Sequence, residues 1–269
     1  MAFNNPAFSR NAAFTGQGAV AVAQDVSAQQ LDEIYKRSSA PVEGEVMTVE
    51  DTIAKTVGAF AVLLVGAAIG WITAPMIPFL WIGAAIVGLV LGLVNTFKRE
   101  PSAPLILAYA AVEGIFVGGI SSFFEAMYPG IVLQAVIASL VVVGVTLALF
   151  ASGKIRASKR ATKVFLIAMV GYLVFSLVNV GIMIFGGAGG NPWGLRGSVE
   201  IAGIPLGVIL GVFVVILAAY SLVLDFDFIQ RGVQNKAPRK YGWTGAFGIL
   251  LTVIWLYLEI LRMLAIARR

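Results

Sequence analysis

From about residue 54 onward the chain alternates between long apolar runs and short polar breaks. The runs fall at about 54–74, 78–97, 104–126, 130–151, 164–186, 203–230 and 241–266. Each is near the length of ~20 residues that lets an α-helix cross about 30 Å of hydrocarbon. The pattern therefore predicts an all-α polytopic bundle of seven transmembrane helices. The breaks carry their own signals. Pro75 ends the first run, Lys98-Arg99-Glu100 ends the second, and Ser102-Ala103-Pro104 reads as a helix start for the third. Gly186–Gly190 with Pro192 predicts a flexible loop between the fifth and sixth runs.

Residues 1–50 have no apolar core and are rich in small and polar side chains. They predict a disordered tail with one helical turn around Leu31–Lys36, in QLDEIYKR, followed by an acidic stretch at 41–51. The division is then a polar tail at 1–50 and a transmembrane domain at 51–269. No signal-peptide pattern opens the chain, so the first apolar run is read as an uncleaved signal anchor.

Composition agrees with lipid as the solvent. Hydrophobic residues make up 59% and charged residues 12% of the chain, against about 25% charged in soluble domains. There is no Cys and no His. That removes disulfides, thiol chemistry, the commonest general base and the commonest transition-metal ligand. No suitably placed Lys lies within a run to serve a Ser–Lys hydrolase, so neither an enzyme nor a cofactor is expected. The net charge of +5 is not read as nucleic-acid binding, because the basic residues concentrate in short loops.

Those loops predict an orientation. Lys98 and Arg99 follow the second run, five basic residues between Lys154 and Lys163 follow the fourth, and Arg231, Lys236, Arg239 and Lys240 follow the sixth. The alternate loops carry one basic residue, Arg196. Basic loops stay cytoplasmic, so the N-terminus is placed inside and the C-terminus outside. Arg268-Arg269 argues the other way, and a seventh segment that re-enters the membrane would return that end to the cytoplasm. Gly66/Gly70, Gly88/Gly92, Gly114/Gly118 and Gly203/Gly207/Gly211 predict close helix packing.

An ionisable side chain at mid-bilayer costs about 2.5–3.5 kcal/mol or more and is a functional candidate. Five qualify: Glu113, Asp225, Asp227, Glu259 and Arg262. Glu113, beside Gly114 and Gly118, is either a proton or cation site or a neutral acid in a helix contact. Asp225 and Asp227 lie two apart, on nearly opposite helix faces, so one faces the bundle and the other the surface. Glu259 has Arg262 at i+3, which allows an ion pair within the helix. The alternative is that Glu259 meets an acid of the sixth helix while Arg262 snorkels to the interface. Two carboxylates that meet in a low-dielectric bundle can share a proton, which makes a pH sensor. Their oxygens also suit Ca²⁺.

The stretches LVLDFDFIQ (222–230) and WLYLEILRMLA (255–265) resemble the Bax inhibitor-1/YccA family, also called the transmembrane Bax-inhibitor-motif family. LAYAAVEGIFVGGIS (107–121) is similar to that family's third helix, with Gly114 the best match. The resemblance covers roughly residues 50–266, and the order of the motifs makes it more specific than any one of them. It implies a seven-helix bundle around a central helix and a pH-sensitive Ca²⁺ leak in a bacterial-type plasma membrane. It further implies that Asp225 and Glu259 form the sensing carboxylate pair, with weak Ca²⁺ contact. A basic residue at the end of the second helix, Lys98 or Arg99, would latch onto Asp225.

The chain departs from the family pattern in three places. Glu stands for Asp at 259, Asp227 replaces a usual amide, and the gap between the two acids is about nine residues longer. A straight helix from Tyr241 would carry Glu259 about 27 Å along its axis. The pair then requires residues 236–248 to lie at the surface or in a bent segment. Two rival functions remain: a proton-coupled small-solute transporter using Glu113, and a non-conducting scaffold whose tail recruits partners.

Overall fold

The computed structural model describes residues 46–77, 79–186 and 191–268. The predicted tail helix at 31–36 and most of the Gly186–Gly190 loop lie outside these residues. Seven long apolar helices are present: α1 (Val49–Thr73), α2 (Leu80–Phe97), α3 (Ala103–Met127), α4 (Ile131–Ala151), α5 (Lys159–Ile184), α6 (Leu206–Gln234) and α7 (Gly242–Ala267). All seven are long and apolar enough to cross a membrane, and their outer faces present Val, Leu, Ile and Phe side chains to the surroundings. The chain is a polytopic membrane protein of seven spans.

The largest shifts in element boundaries have local causes. α1 begins at Val49 rather than about 54, because the Thr48 hydroxyl caps the Asp51 N–H at 3.1 Å and Glu50 and Asp51 favour the positive helix end. α5 begins at Lys159 rather than about 164, because the Ser158 hydroxyl accepts from the Ala161 N–H at 3.2 Å. α6 begins at Leu206 because residues 200–205 form a small antiparallel hairpin, Glu200 opposite Pro205 and Ile201 opposite Ile204. Its two turn residues, Ala202 and Gly203, both take positive φ (54° and 77°), as tight two-residue hairpins of type I′ require.

α7 is the central helix. It packs against α6, α1, α4 and α3 and buries residues all along its length, from Gly242 to Ile266. One cluster surrounds Leu256, Ile260 and Leu261 with Phe124, Ile131 and Ala135. Another joins Phe247, Leu250 and Ile254 to Ala59, Leu63 and Tyr109. α1 and α3 meet most closely: a Cβ added at Gly66 or Gly70 would strike the carbonyls of Ala111 or Ile115, and one at Gly114 or Gly118 those of Leu63 or Ala67. Small residues at four-residue spacing bring these two backbones together, as lipid-embedded helices without a hydrophobic driving force require.

The two ends of the bundle are tied differently. At the end holding the basic loops, Arg239 donates to Asp51 at 2.7 and 2.9 Å, Lys55 donates to the Arg239 carbonyl at 2.7 Å, and Lys240 pairs with Glu100 at 3.0 Å. At the opposite end Arg268 donates to the Pro129 carbonyl at 3.1 Å and to Gln134 at 2.7 Å. α7 therefore runs unbroken from one end to the other. The re-entrant alternative for the seventh segment is corrected. Arg268 is held beside the α3–α4 turn, and the carbonyls and Gln134 there satisfy its donors.

Candidate functional site

The acids of α6 separate as their spacing requires. Asp227 pairs with Arg231 one turn later on the same helix, at 2.6 Å, and that Arg is largely exposed. Asp225 turns inward to α7. Its Oδ2 accepts from the Thr252 hydroxyl at 2.8 Å, and the Ser221 hydroxyl lies 3.2 Å from Thr252. Gly248 provides the space: a Cβ there would approach the Asp225 carboxylate. Among the described residues no cation pairs with Asp225, whose hydrogen-bond partner is the Thr252 hydroxyl.

Glu259 has the opposite environment. It is 1% exposed and bound by three side chains. Arg196 donates to Oε1 at 3.1 Å, and Arg262 lies 3.1 Å from Oε2. The Tyr172 hydroxyl donates to Oε2 at 2.6 Å. Arg196 also donates to Tyr172 and Ser176, each at 3.0 Å, and its guanidinium sits 5.2 Å from the Tyr172 ring centre and 5.5 Å from that of Phe175.

Arg196 reaches this depth because its loop is pinned. Asn179 of α5 accepts from the Leu195 N–H at 2.7 Å and donates to the Trp193 carbonyl at 3.2 Å. The indole of Trp193 stacks on Phe124 at 5.8 Å. A single helical turn, Leu195–Ser198, then turns Arg196 into the bundle, where it is 3% exposed.

Asp225 and Glu259 are thus not hydrogen-bonded to each other. Thr252, the partner of Asp225, lies seven residues before Glu259 on α7, about 10 Å along the axis. The shared-proton pair fails in this conformation for the reason the long gap suggests. Residues 242–248 are already helical, so the α7 positions facing Asp225 are Gly248 and Thr252. The latch is not formed either. Among the described residues Lys98 and Arg99 form no ion pair, and α2 packs along α3 rather than beside α6.

Glu113 lies on α3 against Gly88 of α2, where the missing side chain leaves room for its carboxylate. Among the described residues it has no hydrogen bond or ion pair. No group of three or more His, Cys, Asp or Glu side chains suited to a metal occurs among the described residues.

A cavity of about 720 Å³ between α5, α6 and α7 is lined by neighbours of both acids, though by neither carboxylate itself. Ser221 and Thr252, the hydroxyls beside Asp225, line it together with Arg196, Arg262 and Tyr172, the donors to Glu259. Arg196, Tyr172 and Thr252 were not singled out by sequence as site residues. Arg196 did carry a signal: it is the one basic residue in the loops opposite the basic ones, a position the charge rule disfavours.

The sequence profile of a family described as Bax inhibitor 1 like matches residues 5–269. No curated protein matches the chain.

Proposed function

Because the chain belongs to the Bax inhibitor 1 like family, we propose that it is a pH-sensitive, Ca²⁺-permeable leak channel or transporter with Asp225 as its responsive group. It would work in a bacterial-type plasma membrane with its polar N-terminal tail, residues 1–50, on the cytoplasmic side. The observation that carries this reading is the Asp225 carboxylate turned inward to Thr252 of α7, with no cation paired with it among the described residues. The acids act in series along one path rather than as a pair holding one proton.

Among the described residues the side-chain partner of Asp225 is one hydroxyl, that of Thr252, itself bonded to Ser221. Gain or loss of its proton therefore changes the field in the cavity without a neighbouring charge to cancel it. An ionised carboxylate with two hydroxyls offers a hard cation some of the six to eight oxygens Ca²⁺ takes. That suits a passing contact, not storage. Glu259 is already neutralised by Arg196 and Arg262, which fits a lock at the far end of the path. Opening the path then requires Arg196 and its loop to withdraw.

The test is Ca²⁺ uptake by liposomes holding the purified full chain. Asp225→Asn should lower the flux and remove its response to pH, while Glu113→Gln leaves both unchanged. A second reading, a proton-coupled solute transporter, is favoured by the unpaired carboxylate of Glu113 within the membrane. If Glu113→Gln abolishes transport and Asp225→Asn does not, that reading replaces the first.

A further inference from the structure

The charges around Glu259 do not balance. Two guanidiniums, Arg196 and Arg262, face one carboxylate. With the 26-residue α7 centred on about 30 Å of hydrocarbon, Glu259 falls inside that layer, since it is eight residues from the helix end at Ala267, about 12 Å along the axis. The other acids of this half do not supply the missing charge. Glu125 accepts from the N–H groups of Gly130 and Val132 at 2.6 and 3.0 Å. Glu200 stands exposed in the hairpin and forms no ion pair among the described residues. One positive charge is left over at a depth where an isolated cation is costly.

The surplus faces the cavity. The Arg196 side chain is buried and spends its donors on Glu259, Tyr172 and Ser176, but the Arg262 side chain is 35% exposed. Among the described residues only its Nη1 bonds, to Glu259 and Tyr172. Its Nε and Nη2 remain available. Most of the remaining lining is apolar and includes Met169, Val170, Leu173, Met183, Trp193 and Trp255, with Ser176, Asn179, Ser221 and Thr252 as its polar members. α5, which forms the outer wall, buries only Phe165 and Asn179, so it stands off the bundle on the side where lipid lies.

We infer that this cavity binds a single-chain anionic amphiphile, a long-chain fatty-acid carboxylate, with its head on Arg262 and its chain along the apolar wall. The carboxylate supplies the missing negative charge and a planar partner for the guanidinium fork. A volume of about 720 Å³ is in the range of small-ligand sites and suits one acyl chain better than two. The depth of the cluster also favours a small head group over a phospholipid phosphate, which belongs at the interface.

The experiment uses the full chain, delipidated in detergent, and brominated stearate as a quencher of tryptophan fluorescence. Stearate should give a saturable quench that Trp255→Phe diminishes, while brominated stearyl alcohol and brominated phosphatidylglycerol give none. Arg262→Gln should weaken stearate binding about tenfold or more, the loss of one charge-assisted hydrogen bond. Leu173→Phe, which narrows the cavity and leaves the ions in place, should remove the saturable quench even if Arg262→Gln fails to fold. Equal quenching by the alcohol or the phospholipid, or unchanged stearate binding in Leu173→Phe, overturns the inference.

Discussion

The bundle has two dissimilar sides around α7. On one side α1 and α3 lie backbone against backbone, through glycines whose added Cβ would strike a carbonyl. On the other side α5 stands away from α6 and α7, a cavity fills the space, and polar side chains make the connections. The first side gains from many small contacts that tolerate no added atom. The second depends on a few strong, directional bonds that can be exchanged. In lipid, where burial of apolar surface gives helices no reason to associate, these are two different solutions. The tight side is a frame. The open side is the one that holds Asp225 and Glu259.

That contrast can be broken at chosen points. Gly118→Val on the tight side should have the largest effect and abolish recovery of monodisperse protein, because the facing Ala67 carbonyl cannot yield. Gly171→Ala on α5, where a Cβ meets nothing within 4 Å, should leave recovery unchanged. Equal losses at both positions would dissolve the distinction. Next in size, Arg196→Ala removes the buried donor to Glu259, Tyr172 and Ser176 while Arg262 still pairs with Glu259, and should cost about 1.5–3 kcal/mol, read as a lower unfolding midpoint in detergent. Thr252→Val keeps the shape but removes the donor to Asp225. It should cost about 1–3 kcal/mol and alter the pH response of flux more than the overall fold.

The fold was legible because hydrophobic length alone sets it. Seven runs became seven helices, and four-residue glycine spacing predicted close packing, which α1 and α3 show, without naming the pair; Gly203 of that pattern lies in the hairpin turn instead. Helix starts were less legible where a polar cap extends a helix into charged sequence, as Thr48 and Ser158 do. The site was legible in its acids and not in their partners. Spacing put Asp225 and Asp227 on opposite faces without saying which turns inward, and i+3 allowed the Arg262–Glu259 pair without requiring it. Nothing local could bring Arg196 to Glu259 across 63 positions, since that contact depends on Asn179 pinning the loop between α5 and α6. The resemblance paired the right helices, but the longer gap put Thr252 rather than Glu259 opposite Asp225.

The central claim is that Asp225, and not an acid pair with Glu259, gives the protein its pH response. It is tested most directly by the pH profile of Ca²⁺ flux through Asp225→Asn in liposomes. The account predicts a flux that no longer changes between mildly acidic and mildly alkaline pH. A profile identical to that of the unaltered chain would contradict it.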